Sequence, residues 1–307
     1  MFKTLAFAVT ACACLSASVA YGEVFTIAVI PDAQLEAHDS RMRDRLEWLV
    51  ANSTNLNLKM VLQVGDLMNF NDETQYVDQS RAYEVLDRAG IPHAIALGNH
   101  DTAAVRVDGG SAAPGNVNLN LRNTERFNRH FPTNRFTALV ETFESGKIDN
   151  SVHKFSAGGE DWLVVQLELW ARPAAVEWAK SIAEKYPHSK IIFLTHAHLL
   201  ANSSIQQDNG GYGDKSPQYV FEQAMKPYAN VCMVFSGHTG GHGYRVDKGD
   251  HGNLIHQFLQ CYHDGKNNPV RLLTIDTDKN EISTHVYSPS SNTTKEDGSA
   301  MTVKLSD

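Results

Sequence analysis

The sequence predicts an α/β fold on two observations: short apolar runs recur along the chain, and segments of helical periodicity separate many of them. The runs are VFTIAVI (24 to 30), KMVLQV (59 to 64), HAIAL (93 to 97), WLVVQLEL (162 to 169), KIIFL (190 to 194) and VCMVF (231 to 235). A strand with one wet face alternates apolar and polar residues. These runs do not, so they read as strands buried on both faces. After Ser40 as N-cap, Met42, Leu46, Leu49 and Val50 share one helical face. Val77, Tyr83, Leu86 and Ala89 share another, which Gly90 ends. PAAVEWAKSIAEKY (173 to 186) and SPQYVFEQAMKPY (216 to 228) both carry Pro at a helix start.

After residue 243 the pattern changes to strand and turn, with NLIHQFLQCY, VRLLTID and EISTHVYS expected as an antiparallel meander and TDKN as its hairpin signal. The domain is expected over 23 to 290, with 291 to 307 a loose C-terminal tail. Residues 102 to 150, polar and rich in Gly and Asn with a short helical stretch near NTERFNRHF, form an insertion too long for a simple connection.

A chain of 307 residues, 42% hydrophobic and 20% charged, has enough apolar material for a full core. Residues 1 to 22 join Lys3 to an apolar stretch from Leu5 to Ala17 and then small residues, the pattern of a signal peptide cleaved after Ala20, and imply a periplasmic or secreted protein. Lipoprotein processing at Cys12 ranks second, and the run is short for a membrane span. Without that segment two cysteines remain, Cys232 and Cys261, expected as small buried residues, with one bridge open to them. A net charge of -8 without a Lys/Arg cluster argues against general nucleic-acid binding.

The polar residues of interest each follow a buried run: Asp32 and Gln34, Asp66, the Gly98-Asn99-His100-Asp101 stretch, His196 and His198, and His238. Ligands bind at the carboxyl ends of strands in open α/β sheets, so five segments converge on one edge. Singly, Asp32 and Asp66 also suit turns, and His196 a satisfied buried position. Together they would leave a polar cluster unpaired unless something binds it, and oxygen and imidazole donors suit Zn, Mn or Fe.

This arrangement resembles the calcineurin-like metallophosphoesterase superfamily, through GDLMN (65 to 69), GNHD (98 to 101), the His of LTHAH and the GH of 237 to 238. PDAQ at the first motif resembles a secreted bacterial branch. The resemblance implies two mixed β-sheets packed face to face and flanked by helices in four layers. It also implies two divalent or trivalent metal ions and hydrolysis of a phosphorylated substrate by an activated water. Carried over by position, Asp66 would bridge the metals, Asp32 and Gln34 would serve the first, and Asn99, His196 and His238 the second. His100 would donate a proton, with Asp101 orienting its ring, and His198 would line the substrate pocket.

Two departures stand out. Gln34 occupies a position where many members have His, and the second His of the last motif would fall at Gly240, two residues before His242. The intervening glycines would have to carry His242 back to the first metal. His263 and Asp264 are further residues that could approach from the C-terminal strands. One weakened metal site, serving a non-phosphate ester or a non-catalytic surface module, is the alternative.

Overall fold

The computed structural model describes residues 22 to 108 and 112 to 307; the expected signal peptide, with Cys12, lies outside them except for Gly22. Phe25, Ile27 and Val29 of β1 (Val24–Ile30) enter one apolar core, and Ala28 and Ile30 enter another. That two-sided burial is why the run carries no polar alternation. The same holds for β2 (Leu58–Gln63), and the short β3 (His93–Ile95) completes the parallel trio β1-β2-β3. Between them lie α1 (Arg41–Leu56) and α2 (Glu73–Ala89). Ser40 precedes the first, and Gly90, at φ 66°, closes the second.

The insertion folds as α3 (Val117–Leu121), α4 (Glu125–His130) and β4 (Leu139–Thr142). Next come β5 (Ser151–Ala157), β6 (Glu160–Gln166), α5 (Pro173–Lys185) and β7 (Lys190–Leu194). The segment expected as one helix is α6 (Pro217–Val220) followed by a π-turn over Phe221–Met225. It leads to β8 (Val231–Ser236), β9 (Gly241–Lys248), β10 (Leu254–Cys261), β11 (Val270–Asp276), β12 (Glu281–Ser288), β13 (Thr293–Thr294) and β14 (Met301–Lys304).

Two seven-stranded mixed sheets result. One runs β13-β12-β11-β1-β2-β3 with β14 also on β12, and the other runs β4-β5-β6-β7-β8-β10-β9. Their inner faces meet in one core that includes Phe25, Met60, Trp162, Ile192, Phe235 and Phe258. The outer face of the first sheet packs on α1 and α2, and that of the second on α5 and the π-turn. The four layers implied by the resemblance are therefore present.

Two expectations are corrected. The C-terminal strands are not one meander, because β10 lies in the second sheet, parallel to β8, while β11 crosses to the first and pairs antiparallel with β1. The TDKN hairpin between β11 and β12 does form. Residues 291 to 307 are not loose: β13 and β14 add backbone pairs along β12, and the buried Arg271 donates to the Ser299 carbonyl at 3.1 Å. Such short polar edge strands bury little apolar surface and so leave little periodic signal.

Candidate metal centre

The carboxyl ends of β1, β2, β7 and β8 deliver Asp32, Asp66, His196 and His238 to one edge of the sandwich, from both sheets. Asp66 sits at φ 53° after Gly65 at φ 100°, and His238 at φ 67°. A side chain on Gly65 would overlap the His196 ring, and one on Gly98 the Asp66 carboxylate, so bare backbone at both positions permits the approach. Asp66 Oδ2 lies 3.1 Å from His196 Nε2, which is 3.2 Å from His238 Nδ1. The His196 Nδ1 lies 2.8 Å from the Val64 carbonyl, to which it donates. In the neutral ring, the form a metal requires, that bond fixes the tautomer with the Nε2 lone pair facing the cluster.

A second cluster adjoins through Asp32. Its Oδ1 is 3.1 Å from His263 Nε2, and its Oδ2 is 3.3 Å from the Cys261 Sγ. Gln34 places its amide nitrogen 2.8 Å from the same His263 nitrogen. The electrostatics suit a cation. Burial, and next the Asp66 carboxylate, push Asp32 upward in pKa. Burial would raise Asp66 too, but His196, His100 and His238 hold it well below the usual carboxylate range. Burial opposes a charge on His196, yet Asp66 raises its pKa to about 9.

The donor sets fit metal ions. Asp66, His196 and His238 form one group, and Asp32, Cys261 and His263 another, each with its donor atoms within 4.8 Å of one another. The buried Asn99 Oδ1 has no hydrogen-bond partner in the protein, an orphan that a cation would satisfy.

Other expected site residues lie elsewhere or act differently. His242 is in β9 opposite Gln260, with its Nδ1 3.6 Å from Asp297 and its ring against Tyr262. β9 starts at Gly241 instead of the loop folding back, and His242 belongs to neither donor group. His198 is 1% exposed, with its Nε2 2.7 Å from the Gln257 side-chain oxygen. Asp101 does not touch the His100 ring; it accepts the amides of Gly98 and Met68, both at 2.9 Å, tying two of the loops together. The Asn69 carbonyl orients His100, at 2.6 Å from Nδ1, and the His100 amide donates to Asp66 at 2.9 Å.

Cys261 was expected as an apolar filler or a disulfide partner. Both cysteines are free and buried, and Cys261 faces Asp32. The strand-end rule applied to NLIHQFLQCY would have found it, since β10 ends at that residue.

Two mixed sheets with two groups of largely buried donors at one edge define a metal-binding α/β sandwich. The chain belongs to the calcineurin-like phosphoesterase family, whose model matches residues 25 to 241. It is 26% identical over 282 residues to the uncharacterized protein YvnB of Bacillus subtilis. That match covers 87% of this chain, which spans only about a fifth (20%) of that relative's length. Among solved structures it resembles a purple acid phosphatase from yellow lupin (Lupinus luteus) seeds, at TM-score 0.57 and 10% identity, covering 93% of this chain and 54% of that one. It also resembles a dimetal phosphatase from Danio rerio, at TM-score 0.53 and 12% identity, covering 92% and 99%. These likenesses show the shared fold.

Proposed function

We propose that this chain hydrolyses a phosphate ester at a dinuclear metal centre, with Asp66 shared between the two sites. The observation that carries the proposal is the Asp66 carboxylate, buried 3.1 Å from His196 and accepting the amide of His100, the residue after Asn99 with its orphaned oxygen, with a second donor group at Asp32. Asn99, His196 and His238 would hold one ion, and Asp32 with Gln34 the other. Zn, Mn and Fe all suit this donor set. Two metal ions, when bound, supply Lewis acidity toward a phosphoryl group and a nucleophile at neutral pH.

The protein's own residues account for the rest. Asp101 locks the loop that carries Asn99 and His100 onto the loop that carries Asp66, fixing their separation. His100 keeps Nδ1 on the Asn69 carbonyl, which leaves Nε2 as the nitrogen that would serve the leaving oxygen. Trp170 and Tyr212, stacked with centroids 4.4 Å apart, wall the His238 side, Trp170 meeting that ring edge-on. The substrate would be a phosphorylated molecule outside the cytoplasm, as the N-terminal sequence pattern suggests. No described helix is long and apolar enough to cross a membrane.

Metal content and turnover of an aryl phosphate and its diester test the reading. Asp66→Ala should lose both metals and all hydrolysis. His100→Ala should keep the metals and lose roughly 10²- to 10⁴-fold in turnover. Wild-type protein with two metals that cleaves neither ester would sink the assignment.

A further inference from the structure

We propose that Cys261 and His263 are ligands of the first metal, so that this site combines a thiolate, an imidazole and the Asp32 carboxylate; the inference rests on the dinuclear reading above. Three observations carry it. The three side chains converge, with Asp32 Oδ1 to His263 Nε2 at 3.1 Å, Asp32 Oδ2 to Cys261 Sγ at 3.3 Å and Cys261 Sγ to His263 Nε2 at 3.3 Å, one carboxylate oxygen facing each partner. A cation with bonds of roughly 2.0 to 2.3 Å, meeting at angles of about 90° to 110°, has donor edges of about 2.8 to 3.8 Å, and all three contacts fall in that range.

The backbone is bent to bring the three side chains together. His263 sits at φ 43°, and among the nine described non-glycine residues at positive φ, four are Asp66, Trp170, His238 and His263, all at this edge. Such a conformation costs of order 1 to 3 kcal/mol and persists where surrounding structure enforces it. Position also matters: His242, the imidazole expected here, is held at Asp297, so His263 is the imidazole beside Asp32 and Gln34. A half-turn of the Gln34 amide presents its oxygen to the same point, since amide orientation is assigned from hydrogen bonding.

Sulfur changes the chemistry of the site. The pattern-matched donors are all nitrogen and oxygen, whereas a thiolate makes the first site softer and favours zinc or cobalt over manganese there. On binding, the thiol proton is released to solvent as the sulfur-metal bond forms.

Cobalt(II) loading of the full chain tests this without reference to activity. Wild-type protein should bind two equivalents and show a sulfur-to-cobalt charge-transfer absorption in the near ultraviolet. Cys261→Ser should lose that absorption. His263→Ala should lose one equivalent of two, and His242→Ala should keep both equivalents and the absorption. Two equivalents without the absorption would overturn the Cys261 assignment. Two equivalents retained in His263→Ala, or one lost in His242→Ala, would overturn that of His263. A single wild-type equivalent that His196→Ala removes and His263→Ala does not would instead overturn the dinuclear reading, and this inference with it.

Discussion

Gly65 shows how closely the centre depends on single residues. At φ 100° it adopts a conformation that costs any side-chain-bearing residue about 1 to 3 kcal/mol, and a Cβ there would overlap His196. Gly65→Ala should therefore lower the urea midpoint and reduce metal content together. Gly90→Ala, at φ 66° with open space around it, should lower the unfolding free energy by about 1 kcal/mol and leave metal content unchanged. Equal metal loss in both variants would show that the effect is global. Residues of this kind were legible in the sequence because each follows a buried strand directly. His263 was visible only as a candidate, and Cys261 was read as a small buried residue although it ends a strand. Their contribution depends on β10 ending beside β1 across the sandwich, a relation between distant segments that no local spacing encodes.

At the scale of elements, the fully buried strands were the easiest to read, and KIIFL and VFTIAVI coincide with β7 and β1 residue for residue. β9 was missed: GHGYRVDK is polar because it is an edge strand, held by backbone pairing to β10. The turn carrying Gln34 is braced by a buried ion pair, with Arg45 of α1 2.5 Å from Glu36 and its Nε donating to the Asn268 carbonyl at 3.1 Å. One guanidinium thus ties the Gln34 turn to the loop that follows His263. Glu36→Ala, which leaves Arg45 buried and unpaired, should cost about 3 to 5 kcal/mol. The double variant Glu36→Leu, Arg45→Met should recover most of that in urea denaturation. A single variant as stable as wild type would show that the pair bears no load.

For the molecule as a whole, three of the buried histidines contribute strongly to its acid response. Burial lowers His93 and His198 to about 4 and His153 to about 3, so each is neutral in the fold and charges on unfolding below pH 6.5. A depressed folded pKa gives stability that is complete above the unfolded value and lost as pH falls toward the folded one. Each histidine should therefore subtract about 1.4 kcal/mol per pH unit below 6.5. Urea midpoints at pH 7 and pH 5 should show the fall, and His153→Gln should flatten it by one histidine's share; an unchanged slope would refute the contribution. The two sheets meet mainly through apolar contacts, which have no preferred direction and resist sliding weakly, with a few polar ties such as Arg271 donating to Gln260 at 2.9 Å. Each donor group draws from both sheets: Asp66 on one with His196 and His238 on the other, and Asp32 on one with Cys261 on the other. Seen this way, the centre is also a pair of rivets at one rim of the sandwich, and Cys261, in a chain without a described disulfide, still fastens one sheet to the other.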